Sequence, residues 1–406
     1  MTSLEFEPPR SPRLTGIEIT AHHQPVMRPD RSVFGYAVSV ALRAAHAHRG
    51  DAFDDVVHAA YGEVDLAALV GASVAFIHPT TAMLVGDQPL PDSLGGLVLE
   101  IPGHFADLPD AAEHLRALRA RGVGLALAGY VPGGSQEELI DLVDFVKVDL
   151  VRGTYFAAYA VGCAHGRRVA VIAERVDSEE SALFCASLGV ELLQGPLFQR
   201  DAPPIARDFS VGEVRCLELV ALLTATDVDT GRVTKAVSAD PELTMRVLRL
   251  VNSSAYGGQS RIDTAGRAVV MLGPQRLLSL VMASLVSGRN RPIAGLWCVL
   301  TRAIACRSIA DDDTAYTVGL LSAVASQLRV APADLIARTR VSQDVSDALL
   351  TLSGPYGQAL AAVLAQEESD TARIEATGLA SSGVARAYLE AVAEGLRTAT
   401  ALSTSS

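Results

Sequence analysis

Six short apolar runs limit what the first half of this chain can become: ASVAFIH, GGLVLEI, GVGLALAGY, DFVKVDL, RRVAVIAERV and GVELLQG, all before residue 200. Each is of strand length, and helical patterns such as DLPDAAEHLRALRARG and SQEELIDLVD lie between them. A strand, a helix and a further strand in succession need a crossover that leaves the strands parallel. So many units in so few residues fit an α/β barrel better than a small open sheet, although periodicity is compatible with both.

Near QRDAPPIARD, residues 199–208, the texture changes. This Pro-rich polar stretch reads as a linker, and little strand signal follows it. SADPELTMRVLRLVNSSAYGG reads as a punctuated helix. Asp240 can cap it, Pro241 suits its first turn, and Leu243, Val247, Leu250 and Val251 form one apolar stripe. Another helix starts around Gly273-Pro274. The expected organisation is a flexible tail over 1–13, a barrel over 14–200, a linker over 201–210, an all-α domain over 211–400 and a short flexible tail over 401–406.

The chain has 406 residues, which suits two domains. Its formal net charge of -12 argues against generic affinity for nucleic acid or an anionic membrane. No uninterrupted apolar run reaches about 18 residues, and MTSLEFEPPRSPR lacks the apolar region of a signal peptide. The five cysteines have no CxxC spacing, which suits reduced thiols in a cytoplasm. A soluble cytoplasmic protein is expected, without a membrane or nucleic-acid partner.

In a barrel, functional groups sit at the carboxyl ends of the strands. Those ends carry His78, Glu100, Ala128-Gly129, Lys147 and Asp149, Glu174, and Gln194-Gly195. Lys147 is one of only two lysines among 34 basic residues. The alternation in DFVKVDL puts Lys147 and Asp149 on one face, where burial is costly unless they pair or bind something. Lys147 is expected to pair with Asp149 or Glu174. Glu100, Asp149 and Glu174 could gather around a divalent ion, but a two-metal site needs a denser carboxylate set than three; the alternative is a structural salt-bridge network. In YVPGGSQ, Ser135 with Glu138 reads as a capping box. Trp297 reads as core, and Cys298 and Cys306, eight apart in one helix, as both facing it.

As a set, HHQPVMRPDRSVFGYAVSVALR, LVLEIPG, LALAGYVPGG, FVKVDL, VIAERVDS and ELLQGPLF resemble the EAL domain, the cyclic-di-GMP phosphodiesterase barrel, over residues 14–200. The resemblance implies a TIM-like barrel and a pocket at Glu100, Lys147, Asp149, Glu174 and Gln194, with Glu174 in the place of the general base. Other matched positions depart from the pattern. Ala37 stands for the Glu that names the family, and Ser39 and Ala41 for the Leu and the phosphate-binding Arg. His78 stands for a metal-binding Asn, Gly103 for the second Glu of ExxE, and Ala128-Gly129 for an Asp pair. A base without metal-activated water has little to deprotonate, so no catalytic residue, no metal and no cofactor is expected.

VTKAVSADPELTMRVLRLVNSSAYGGQSRIDTAGRAVVMLGPQRLLSLV, residues 233–281, resembles the HDOD domain. All nine histidines precede residue 166, so the helical half cannot build the His-Asp metal site of the related HD hydrolases; Ser322 stands where their GLLHD has its His. Asp311, Asp312 and Asp313 read as a loop or helix cap. Asn252 and Ser253 read as a C-terminal cap, or as polar contacts of a partner surface. The combined expectation is a non-enzymatic signalling scaffold that binds an unidentified protein partner through the helical domain. The alternative is a receptor that binds cyclic di-GMP without cleaving it.

Overall fold

The computed structural model describes residues 17–44, 57–58, 61, 65–92, 95–199, 201, 204–205, 207–225, 227–252, 262–287, 292–339 and 341–404. Eight strands close into a barrel in chain order. They are β1 (Ile17–Met27), β2 (Val33–Ala44), β3 (Val74–Ile77), β4 (Leu97–Ile101), β5 (Gly124–Leu127), β6 (Phe145–Asp149), β7 (Ala170–Glu174) and β8 (Leu192–Leu193). From β2 to β8 the neighbours are parallel, as the alternating runs require. The exception is β1, antiparallel to both β2 and β8. In β2 the larger apolar residues Phe34, Tyr36, Val38, Val40 and Leu42 alternate with smaller ones, a strand pattern, whereas HHQPVM in β1 shows none.

Inward-facing side chains fill the barrel. Val26, Ala37, Phe76, Val98, Ala126, Ile172 and Leu192 are buried together, with Phe34, Val74 and Phe145 packed against them. Three of these rings lie 5.9–6.1 Å apart, centroid to centroid. This apolar plug leaves the strands' carboxyl ends as the place for polar groups. The outward faces (Tyr36 and Val38, Ala75 and Ile77, Leu125 and Leu127, Val146 and Val148) join a second core under the helices.

The helical half begins at the helix Val211–Leu223, whose first turn carries a capping box between Ser210 and Glu213. The helix Pro241–Val251 forms as its punctuation requires. Asp240 accepts from Leu243 N, and Leu243, Val247, Leu250 and Val251 are its buried residues. Asp312 caps the helix Asp313–Leu328 through Thr314 N. Gly319 of that helix lies so close to the helix Pro292–Ala310 that a Cβ would meet Arg302 O at 2.5 Å. The final helix, Ser381–Thr404, carries regular structure through 401–404, where a flexible tail was expected. The expected tail over 1–13 lies outside the described residues.

Two stretches, Ala265–Leu285 and Gln343–Glu367, are long and apolar enough to cross a membrane. Neither is one uninterrupted helix. Gly273, at φ 71°, breaks the first immediately before Pro274. The second is two helices, Gln343–Thr351 and Gly354–Glu367.

The halves share a packed face. Strand β1 lies against the helix Ser381–Thr404, and the apolar core beneath the barrel helices continues into the helical half. Trp297, buried as expected, donates from Nε1 to Val392 O at 2.8 Å. Its ring meets Tyr36 of β2 edge-on at 4.9 Å, and His23 of β1 stacks on Tyr36 at 4.4 Å. Burial pushes the His23 pKa down to about 4, with only partial opposition from its bond to Leu69 O. The imidazole is therefore neutral at ordinary pH. Cys306 is buried, but Cys298 is exposed. Eight residues advance a helix about 80° past two full turns, which is enough to turn Cys298 out of the core. Replacing Trp297 with Ala empties the junction and strips Val392 O of its donor. The expected loss is about 3 kcal/mol, seen as a lowered urea midpoint of the full chain.

Candidate functional site

The site is built by three strand ends around one lysine. Lys147, on β6, is 1% exposed. Its Nζ lies 2.7 Å from Glu100 Oε2 on β4 and 2.9 Å from Glu174 Oε1 on β7. Glu174 is next to β6, whereas Glu100 is two strands away. The small Ala126 and Ala128 between them leave the space through which the lysine reaches Glu100.

A cation and a carboxylate this deeply buried persist only because they satisfy each other. Burial alone would push the Glu100 carboxyl up. The Lys147 ammonium, followed by His78, outweighs that and holds it below the usual carboxylate range. Burial likewise presses the Lys147 pKa down, and the charges of Glu100 and Glu174 overcome it and raise it. His78, exposed at the rim, adds its Nε2 at 3.0 Å from the same Glu100 oxygen.

Asp149 does not pair with Lys147. Its carboxylate takes the guanidinium of Arg175 and accepts from Val151 N at 3.0 Å. It sits two residues further along β6, about 6.6 Å nearer the rim, where the exposed Arg175 can reach it. Gln194 ends β8 and donates from Nε2 to Gln24 Oε1 of β1 at 3.0 Å. The other oxygens of this layer are unsatisfied: Glu100 Oε1 and Gln194 Oε1 are buried with no hydrogen-bond partner. Buried acceptors of this kind are rare, and they mark a place for a donor from water or ligand.

Among the described residues, no group of three or more His, Cys, Asp or Glu side chains is placed to hold a metal ion. The Lys147 ammonium already lies between Glu100 and Glu174. These residues do not fit the metal cluster that the EAL resemblance implies.

The loop over the mouth differs from its sequence reading. Ser135–Glu138 is a short 3-10 turn, and Ser135 makes no capping bond. Gln136 and Glu137 hold the loop instead. Gln136 bridges Val131 N and Ala128 O, and Glu137 accepts from Tyr130 OH at 2.6 Å and from Gly133 N. In the helical half, Asn252 is occupied by the turn it ends: its Nδ2 donates to Leu248 O and Ile262 O, and its Oδ1 accepts from Ile262 N. Ser253 lies outside the described residues.

Residues 214–331 match the HDOD domain family. A cyclic di-GMP phosphodiesterase, CdgJ of Vibrio cholerae serotype O1, is 27% identical over 319 residues, covering 75% of this chain and 74% of that protein. The uncharacterized protein YuxH of Bacillus subtilis is 23% identical over 225 residues, covering 54% of this chain and 55% of its own length. Among solved structures, a PaMucR phosphodiesterase in complex with c-di-GMP aligns at TM-score 0.35 and 19% identity, over 45% of this chain and 91% of that one. Klebsiella pneumoniae BlrP1 with calcium and cyclic di-GMP aligns at 0.37 and 22%, over 48% and 58%. At these scores the structural likeness says nothing about this chain's chemistry. The chain thus joins a closed eight-stranded barrel to a helical half in which residues 214–331 match the HDOD domain family. The expectation that it is not an enzyme is corrected: the relative spanning three quarters of it is named a phosphodiesterase. That expectation rested on the replaced motif positions alone.

Lys147→Met leaves the Glu100 carboxylate buried without its cation, an expected loss of about 3–5 kcal/mol near neutral pH. In the unaltered chain the depressed Glu100 pKa contributes stability above the unfolded carboxyl value of about 4.3, lost as pH falls through the folded one. In the variant, burial favours the protonated acid. The stability gap should therefore narrow as pH falls from about 7 toward 5. Urea midpoints at the two pH values check this, and an unchanged gap contradicts it.

Proposed function

We propose that this chain acts in cyclic-di-GMP signalling, with the carboxyl-end mouth of its barrel as the site that receives the dinucleotide. The observation that carries the reading is the Glu100–Lys147–Glu174 cluster, with its two buried acceptors that lack donors. Guanine N–H and ribose O–H groups are donors of the kind those oxygens need; a bare phosphate is not. Glu174 is the member of the cluster with its side chain partly open, 27% exposed, and is the carboxylate that can meet a phosphodiester or its attacking water. Lys147 orients it, with Nζ 2.9 Å from Oε1. Arg175 and His78 supply rim groups for the phosphates. The name and coverage of the Vibrio cholerae relative support the same ligand.

The helical domain takes the partner-binding role in this reading. Met245, Val270 and Met271 are exposed on its helices Pro241–Val251 and Ala265–Ser287, the kind of apolar surface that a protein partner covers. Asn252 supports that surface by fixing the turn beside it. The reading places the protein in the cytoplasm, where its cysteines stay reduced.

Calorimetric titration of cyclic di-GMP into the full chain tests the site. Binding is expected, weakened at least about tenfold, or 1.4 kcal/mol, in Glu174→Gln. Absence of binding by the unaltered chain overturns the reading. Chromatography of the same mixtures for linear dinucleotide measures turnover directly.

A further inference from the structure

The last turn of the barrel leads straight into a buried ion cluster of the helical domain. Gln194 ends β8 at the mouth, and Gln199 and Asp201 follow within seven residues. Gln199 Nε2 donates to Glu367 O at 2.8 Å. Asp201 takes Arg302 in a two-pronged contact, Nη1 to Oδ2 at 2.9 Å and Nη2 to Oδ1 at 2.8 Å. The same guanidinium, 7% exposed, forks onto Glu367 at 3.0 and 2.6 Å and donates to Ser322 Oγ at 3.1 Å. Ser326 closes the cluster by donating to Asp201 Oδ1 at 2.6 Å.

The barrel end of this strap is just as tightly held. Val176 N donates to Gln194 O, and Leu197 N to Val176 O. A Cβ on Gly195 would meet Val176 N at 2.3 Å. Val176 lies two residues after Glu174, so the turn that carries the candidate base is packed on the start of the strap. A side-chain route runs in parallel. Gln194 Nε2 donates to Gln24, and Gln24 Nε2 reaches Ser369 Oγ at 3.4 Å, in the turn that follows Glu367. Gln194 Oε1 remains without a partner. A ligand donor that takes this oxygen pulls on an amide whose other end holds Gln24.

We propose that residues 194–201 couple the barrel mouth to the HDOD domain: occupancy at Glu174 and Gln194 alters the packing of the 366–370 turn, and the Arg302 cluster in turn sets the affinity of the mouth. The ligand half of this inference rests on the cyclic-di-GMP reading above. Coupling through equilibrium binding is reciprocal, so a change at the helical end must be felt at the mouth, although Asp201 and Gln199 belong to the strap and are not part of the ligand site.

Two measurements on the full chain decide it. Asp201→Asn, at an exposed residue, and Gln199→Ala, at a partly buried one, are titrated with cyclic di-GMP, with melting curves confirming that they fold. The expected result is a dissociation constant raised at least about fivefold in either variant. Values within about twofold of the unaltered chain in both variants overturn the coupling. Hydrogen exchange without any nucleotide gives the second readout. Gln194→Ala should speed exchange of the 366–370 amides, and unchanged rates overturn the proposal. If the unaltered chain takes up no cyclic di-GMP, the ligand reading falls and hydrogen exchange alone decides the coupling.

Discussion

A single buried ammonium organises the barrel mouth. Taking Lys147 out of water is tolerable only because two carboxylates close on it, and the lysine in return holds the Glu100 carboxyl below its usual range. The apolar plug below keeps these charges from sinking further into the barrel. The rim above is wet, so Glu174 and His78 meet solvent while Glu100 does not. The depth of one side chain thus sorts the cluster into a structural carboxylate, Glu100, and an accessible one, Glu174. One cation against two acids leaves the cluster a net negative charge, and it leaves Glu100 Oε1 without a donor. Such a site favours neutral or cationic donors at its floor.

The antiparallel start of the barrel explains why two domains share one core. Strands joined by a crossover bring their own helix to cover the outer face. The β1–β2 hairpin turns through residues 28–32 and has no crossover helix of its own. Tyr36 and Val38 nevertheless face outward and are buried. The cover comes from the helical half, through Trp297 and the helix Ser381–Thr404. A neutral His23 fits this dry junction, since an imidazolium there would lack a counter-charge.

Much of this was legible in sequence where local chemistry dominates. The parallel strands, the Asp240-Pro241 start and the Asp312 cap follow from periodicity and capping, which act over a few residues. The shared face of Lys147 and Asp149 was legible for the same reason. Of their partners, Glu174 was among those expected for Lys147, whereas Glu100 and Arg175 were not. Lys147 reaches a residue 47 positions away because two alanines on an intervening strand make room, and Asp149 turns to Arg175, whose left-handed φ of 58° no residue type announces. The Ser135–Glu138 spacing misled because the segment is too short for an α-helix, and its loop is instead held by Gln136 and Glu137. The HDOD half was visible in its motifs, while its Arg302 cluster joins positions 65 and 101 residues apart and leaves no local trace.

That cluster also gives meaning to the missing histidines. Ser322 stands where the resemblance to HD enzymes expects a metal-binding His, and the guanidinium of Arg302 lies against it. Arg302 is a permanently charged fork that takes two carboxylates at once. Its two carboxylates come from different places, Glu367 from the helical domain and Asp201 from the linker. A polar interior that could have served chemistry instead fastens the polypeptide leaving the barrel. The cost of burying Arg302 is met only while the linker stays in place, because without Asp201 the guanidinium loses one of its two carboxylates. The helical domain is therefore tied to the end of β8 by electrostatics as well as by chain connectivity.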